Sequence, residues 1–171
     1  MKRLFIILGC VMLLLGTVAL LIPATRTATR TASLPAAREH VFQAVTRIAD
    51  QSWRPSVSSV RVLKSDDGQE EWIEVSKEGH ELSFKTTSKV EPELFEIEFS
   101  GSPSIRGRWS GRFIEQAENE TLVEFTETVT AGSLPSKVLG YLFFNLDATL
   151  DTYINDLKNK LESEGYEQAS R

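Results

Sequence analysis

Residues 93–113 read ELFEIEFSGSPSIRGRWSGRF, and this stretch decides the fold. Phe95, Ile97 and Phe99 alternate with Glu96 and Glu98, a period of two that marks a strand with one apolar face. Ser100-Gly101-Ser102-Pro103-Ser104 is a turn by composition. Beyond it Ile105, Trp109 and Phe113 take one side, and Arg106, Arg108 and Arg112 take the other. Folding the two runs together sets Phe99 opposite Ile105 and Phe95 opposite Trp109, with Glu98 facing Arg106 and Glu96 facing Arg108. Exposed pairs of this kind contribute only about 0.2–1 kcal/mol each, so their main effect is to fix the register.

Working outward, a turn near 117–120 leads into TLVEFTETV (121–129). Parity then pairs Phe113 with Val123, Gly111 with Phe125, Trp109 with Glu127 and Arg112 with Glu124. Upstream, Glu78-Gly79 reads as a two-residue hairpin turn in which Gly supplies the positive φ. That register predicts an apolar face of Val75 opposite Leu82 and Ile73 opposite Phe84. Glu74 (opposite Ser83) and Trp72 (opposite Lys85) fall on the other face. The strands begin at Val57. Before them, ATRTATRTASL (24–34) alternates as a strand does, and Ser33 with Pro35 signals a helix over 35–48 that carries Val41, Phe42, Val45 and Ile48. Trp53-Arg54-Pro55 breaks that helix from the next strand.

After a second Ser-Leu-Pro signal at 133–135, one long helix is predicted from 135 to 164, about 45 Å at 1.5 Å per residue. Leu139, Leu142, Phe143, Leu146, Leu150, Ile154, Leu157 and Leu161 form its stripe, Gly140 marks a bend and Gly165 the end.

Leu4 to Ile22 is a run of 19 residues without a charge, preceded by Lys2 and Arg3 and ended by Pro23. Its length, about 28 Å as a helix, matches the bilayer core, and it exceeds the usual apolar region of a signal peptide. A retained transmembrane helix is the first reading. A cleaved signal peptide, with Thr17 and Ala19 near the cut, and a lipoprotein signal at Cys10 are the alternatives. Basic residues before the run place the domain on the outer (periplasmic or extracellular) side, although Arg26, Arg30 and Arg38 beyond it make the asymmetry modest. The expected organisation is an anchor or signal over 1–23, a domain over 24–166 and a frayed tail over 167–171. Cys10 is the only cysteine, so an intramolecular disulfide is impossible. Without Lys2 and Arg3 the balance is 17 basic against 24 acidic residues, which argues against nucleic acid and anionic membrane surfaces as partners.

One antiparallel sheet with one apolar face must be covered, and the C-terminal helix is the element with a long enough stripe. Gly107 and Gly111 beside Trp109, and Thr86 beside Phe84, suit either a ligand cavity or a strongly bent strand. In this order of elements, the segments AAREHVFQAVTRI, Trp53, FEIEFSGSPSIRGRW, TLVEFTETV and the closing helix resemble the START-like (SRPBCC) superfamily, in its polyketide cyclase and lipid-transport branch. The resemblance covers about residues 25–164. It implies an α+β helix-grip fold, a seven-stranded antiparallel sheet wrapped around the C-terminal helix with a cavity between them. It further implies an apolar ligand, such as a lipid or other hydrophobic small molecule. The family has no universal catalytic residue to carry over, and an N-terminal anchor sets this chain apart from freely diffusing members.

The candidate cavity residues are Trp53, Ile73, Phe84, Phe95, Ile97, Trp109, Phe125, Glu127, Phe143, Leu146 and Leu150. Each apolar one reads first as core, because a sheet and helix of this size must bury such residues in any case. Glu127, turned inward beside Trp109, is either a contact for a ligand headgroup, an acid whose pKa burial has raised, or a rim residue in water. His40 and His80 lie on different elements with no Cys beside them, which argues against a metal site, and no GxSxG elbow is present. No cofactor is implied. Three functions follow: a membrane-tethered module binding an apolar ligand, a cyclase- or dehydratase-like enzyme, and an interaction domain whose cavity has filled.

Overall fold

The computed structural model describes residues 21–66, 69–101 and 104–169. Its seven strands are β1 (Thr25–Leu34), β2 (Val57–Asp66), β3 (Gln69–Ser76), β4 (Glu81–Val90), β5 (Leu94–Gly101), β6 (Ile105–Ala117) and β7 (Glu120–Ala131). They form one antiparallel sheet in the order β1-β7-β6-β5-β4-β3-β2. Three helices accompany it: α1 (Arg38–Thr46), α2 (Leu134–Phe143) and α3 (Leu146–Ala169).

The β6–β7 register is as the sequence predicts, with Phe113 opposite Val123, Gly111 opposite Phe125 and Trp109 opposite Glu127. The β5–β6 hairpin keeps its predicted faces but slides by two residues. Phe99 lies opposite Gly107, Phe95 opposite Gly111, Ile97 opposite Trp109, and Glu98 pairs with Arg108. The slide has a steric cause. The slide seats the Phe99 ring over Gly107, where a Cβ would meet it; within β6 the Trp109 ring lies over Gly111 in the same way, 2.5 Å from where a Cβ would stand.

The β3–β4 hairpin differs by one residue, which reverses its faces. Ser76 N–H donates to the His80 carbonyl at 2.9 Å and Gly79 has φ +84°, so the loop holds three residues, Lys77 to Gly79, and not two. Trp72 therefore faces Phe84, and Glu74 faces Leu82. Trp72 and Glu74 are buried, whereas Ile73 moves to the outer face with Glu71 and Ser83.

In β1 the Thr residues sit on the outer face, where Thr25, Thr27 and Thr29 meet Thr130, Thr128 and Thr126 through their hydroxyls at 2.9–3.0 Å. Ser33 belongs to this strand and bonds Glu120, so α1 starts at Arg38 without a side-chain cap. The inward β1 positions Ala28 and Ala32 are small, and α3 packs closely there. Leu146, Leu150, Ile154, Leu157 and Leu161 of α3 are all buried, each contributing about 1.5–3 kcal/mol. Val41, Phe42 and Val45 of α1 join the same core, with Phe42 edge-on to Phe113 at 5.3 Å.

The single C-terminal helix of the sequence reading is two helices. The break falls at Phe144-Asn145, not at Gly140. Phe144 leaves helical geometry, and the Asn145 side chain accepts from Ala148 N–H at 3.3 Å to start α3. Two inward arginines of β1 straddle the break. Arg26 donates to the α2 terminal carbonyls of Gly140 (2.7 Å) and Phe144 (2.9 Å), and Arg30 holds Asp147 and Asp151 of α3 at 2.7 and 2.8 Å. Leu139 and Leu142, predicted inside the stripe, are exposed as a result. At its far end α3 runs through Gly165 to Ala169 and so passes the predicted boundary at 166. Among the described residues no helix is long and apolar enough to cross a membrane; of the uncharged run 4–22 only Leu21 and Ile22 are described.

Candidate ligand site on the inner face of the sheet

The reversed face of β3 brings charge inward. Alternation turns Glu70, Trp72 and Glu74 to the interior, and the loop after α1 delivers Arg54 to meet them. The Arg54 guanidinium grips Glu74 with two contacts of 2.9 Å, and Trp72 Nε1–H donates to the same carboxylate at 3.1 Å. A buried pair of this kind is stable because the partners satisfy one another; either one left alone would be costly. Arg54 also stands over the Tyr153 ring at 5.6 Å.

Tyr153 is the centre of an aromatic cluster. Its ring lies 5.3 Å from Trp53, 5.6 Å from Phe125 and 5.8 Å from Trp109, and Trp109 lies 4.9 Å from Phe125. Glu127 extends from β7 next to this cluster, opposite Trp109 on one side and Ala28 on the other. Burial raises its pKa to about 7, with the Arg54 charge opposing the shift without cancelling it. Burial also pushes the Tyr153 phenol up, and it raises Asp156 against the same Arg54 charge. A carboxyl near half-protonation at neutral pH can donate a hydrogen bond to a carbonyl or hydroxyl headgroup, or pass a proton.

Of the predicted site residues, Trp53, Trp109 and Phe125 meet around Tyr153, and Glu127 lies opposite Trp109 on the neighbouring strand. Phe95 borders that group, 6.4 Å from Trp109, and Ile97 is buried opposite Trp109. Phe84 belongs to a second cluster, stacked on Trp72 at 5.2 Å and 5.7 Å from Phe99. Leu146 and Leu150 are buried in the α3 core. Ile73 is on the wrong face for the site, and the Phe143 side chain lies outside the described residues. Arg54, Glu74 and Tyr153 were not anticipated. Tyr153 had a signal, since it lies three residues after Leu150 and four before Leu157 on the helix stripe.

The unfilled space expected between sheet and C-terminal helix is occupied at Tyr153. A hollow of about 650 Å³ lies over β3–β7, mostly against outward residues such as Glu71, Lys85, Glu98 and Arg108, with Trp72, Phe84 and Phe99 bordering it. Two others, about 500 and 270 Å³, open beside α3 at Trp53 and between α3 and His40 of α1. Among the described residues Trp53 Nε1 is a buried donor near the inner face without a hydrogen-bond partner, whereas the Thr86 hydroxyl and the Glu70 carboxylate lie within reach of one another. Buried polar atoms are ordinarily satisfied, so Trp53 Nε1 is a place where a water or ligand atom fits.

The fold recurs in solved structures. A START superfamily protein from Mycobacterium smegmatis superposes with a TM-score of 0.65 at 14% identity, over 80% of this chain and 97% of that one. The Zhui aromatase/cyclase from Streptomyces sp. R1128 gives 0.64 at 11% identity, over 81% and 94%. Norcoclaurine synthase from Thalictrum flavum, in complex with dopamine and hydroxybenzaldehyde, gives 0.64 at 8%, over 81% and 87%. No curated protein matches the chain by sequence. The family model described as polyketide cyclase / dehydrase and lipid transport matches residues 34–150, well over half the sequence. With its seven-stranded sheet and C-terminal helix, the chain shares the fold of these START superfamily and aromatase/cyclase structures, and it belongs to the polyketide cyclase / dehydrase and lipid transport family.

Proposed function

We propose that this protein binds an apolar small molecule carrying one polar headgroup, on the inner face of its sheet, and that the run 4–22 tethers it to a membrane with the domain on the outer side. The observation that carries the ligand reading is Glu127. It is half-buried on β7 between Trp109 and Ala28 of the neighbouring strands, with its pKa raised by burial to about 7. Folding alone gains nothing from such a group, whereas a ligand headgroup would give it a partner. The aromatic rings beside it suit an apolar body, and family membership supports the same substrate class.

The test is to express residues 24–171 without detergent, extract the purified protein with organic solvent and analyse the extract by mass spectrometry. A discrete apolar compound present in proportion to protein is the expected result. Extracts that match a mock purification in repeated preparations would contradict the reading and favour an interaction domain whose interior Tyr153 has filled. A second reading, a cyclase- or dehydratase-like enzyme, is favoured by the same carboxyl, because a pKa of about 7 suits a general acid at neutral pH. It requires that Glu127→Gln abolish any turnover found; unchanged turnover removes it.

A further inference from the structure

We infer that the apolar side of α2 lies on the surface of the bilayer that holds the run 4–22; this rests on the tether reading above. Helix α2 reads LPSKVLGYLF, with Lys137 its only charge. A helix of this length should bury its leucines against the sheet, yet Leu139 is 57% and Leu142 63% exposed, with Leu134, Tyr141 and Phe144 exposed beside them. Exposed apolar side chains gathered in this way on one element mark a contact surface.

The position of α2 identifies what it touches. The Ala131 N–H donates to the Ala24 carbonyl at 2.9 Å, so β1 begins beside the residues that lead into α2. Arg26 then fastens the far end of the helix through Gly140 and Phe144. The start of α2 is fastened as well: Ser104 bonds Ser136, and its carbonyl accepts from Gly132 N–H. The helix is thus clamped at both ends to the end of the sheet where the chain enters. The uncharged run stops at Ile22, and the two residues from there to Ala24 reach at most about 7 Å. With so short a connection, the end of the domain bearing α2 cannot stand away from the membrane interface. Amphipathic helices lie at that level with the apolar face about 5–10 Å into the headgroup boundary. Arg30 pairs with Asp147 and Asp151 at the start of α3, Lys137 and Arg26 lie on or against α2, and the chain as a whole carries −5. With charges of both signs around it, the contact is apolar insertion that a zwitterionic surface suffices to receive.

The test uses the full chain with Cys10→Ser, reconstituted into phosphatidylcholine vesicles. An environment-sensitive fluorophore is placed at Leu142→Cys, at Leu139→Cys in a second variant in case the first misfolds, and at Glu118→Cys in the turn at the opposite end of β7 as a control. Lipids spin-labelled near the headgroup then quench by contact. Quenching at 142 and 139 about threefold or more above that at 118 is expected for a surface at this depth. Vesicle flotation that carries the protein, with labels at 142 and 139 quenched no more than at 118, would overturn the docking and leave the tether standing. Labels shielded from both lipid and aqueous quenchers would also overturn it, by showing a second copy or another part of the chain over the helix. Failure of the protein to float would remove both the tether and the docking.

Discussion

Replacing Glu127 by Gln separates a buried carboxyl from one at a wet rim. In the folded protein its pKa rises from 4.5 to about 7, with burial as the main cause. An acid whose folded pKa exceeds its unfolded pKa holds its proton longer in the native state, so stability falls as pH rises from about 4.5 through 7 and levels off above. With about 1.4 kcal/mol for each tenfold change in proton affinity, the full loss is about 3 kcal/mol, of which about 2.5 kcal/mol develops between pH 5 and 8. Gln has nearly the same shape and never ionises. The variant's advantage over the wild type should grow by about 2.5 kcal/mol from pH 5 to pH 8, roughly 5–10 °C in melting temperature for a domain of this size. The assay is a pair of thermal melts at each pH on residues 24–171, read as the difference between the proteins so that other titrating groups cancel. Identical differences at the two pH values would refute the burial of this carboxyl, and with it the inner-face polar site.

Other perturbations follow from the same contacts. Arg54→Met strands the Glu74 carboxylate and should cost about 3–5 kcal/mol in urea unfolding, whereas the double variant Arg54→Met/Glu74→Met should recover most of that loss. Trp72→Phe keeps the stacking on Phe84 but removes the donor to Glu74, and chemical denaturation should register a loss of about 1–3 kcal/mol. Gly111→Ala forces a methyl against the Trp109 ring; calorimetry should show about 1–3 kcal/mol of destabilisation, and an unchanged melting temperature would mean that the ring has room to move. Asn145→Ala removes the α3 cap and should lower stability by about 1 kcal/mol, with faster amide exchange confined to the start of that helix.

The architecture was legible wherever two independent signals agreed. For β6–β7, turn position, apolar parity and the Arg112–Glu124 pairing all pointed to one register, and the structure has it. For β5–β6, charge complementarity admits more than one alignment, and the two-residue slide was decided by ring-over-glycine packing, which period-two patterning does not encode. At β3–β4 the whole face rested on a loop length, and one added residue at Lys77–Gly79 sent Trp72 and Glu74 inward and Ile73 out. That slip hid half the candidate site, because Arg54 has a purpose only once Glu74 is known to be buried. Glu127 was legible because it lies on the securely registered strand. The helix break was hidden for another reason. The leucines continue in phase across Phe144-Asn145, and the break depends on Arg26 and Arg30 reaching from a distant strand to the two helix ends.

The central claim, that the inner face holds an apolar ligand, is tested most directly by native mass spectrometry of residues 24–171 prepared without detergent. The account predicts a population heavier than the polypeptide by one discrete mass, displaced under mild activation. A single species at the bare polypeptide mass, from folded protein and across several growth conditions, would contradict it.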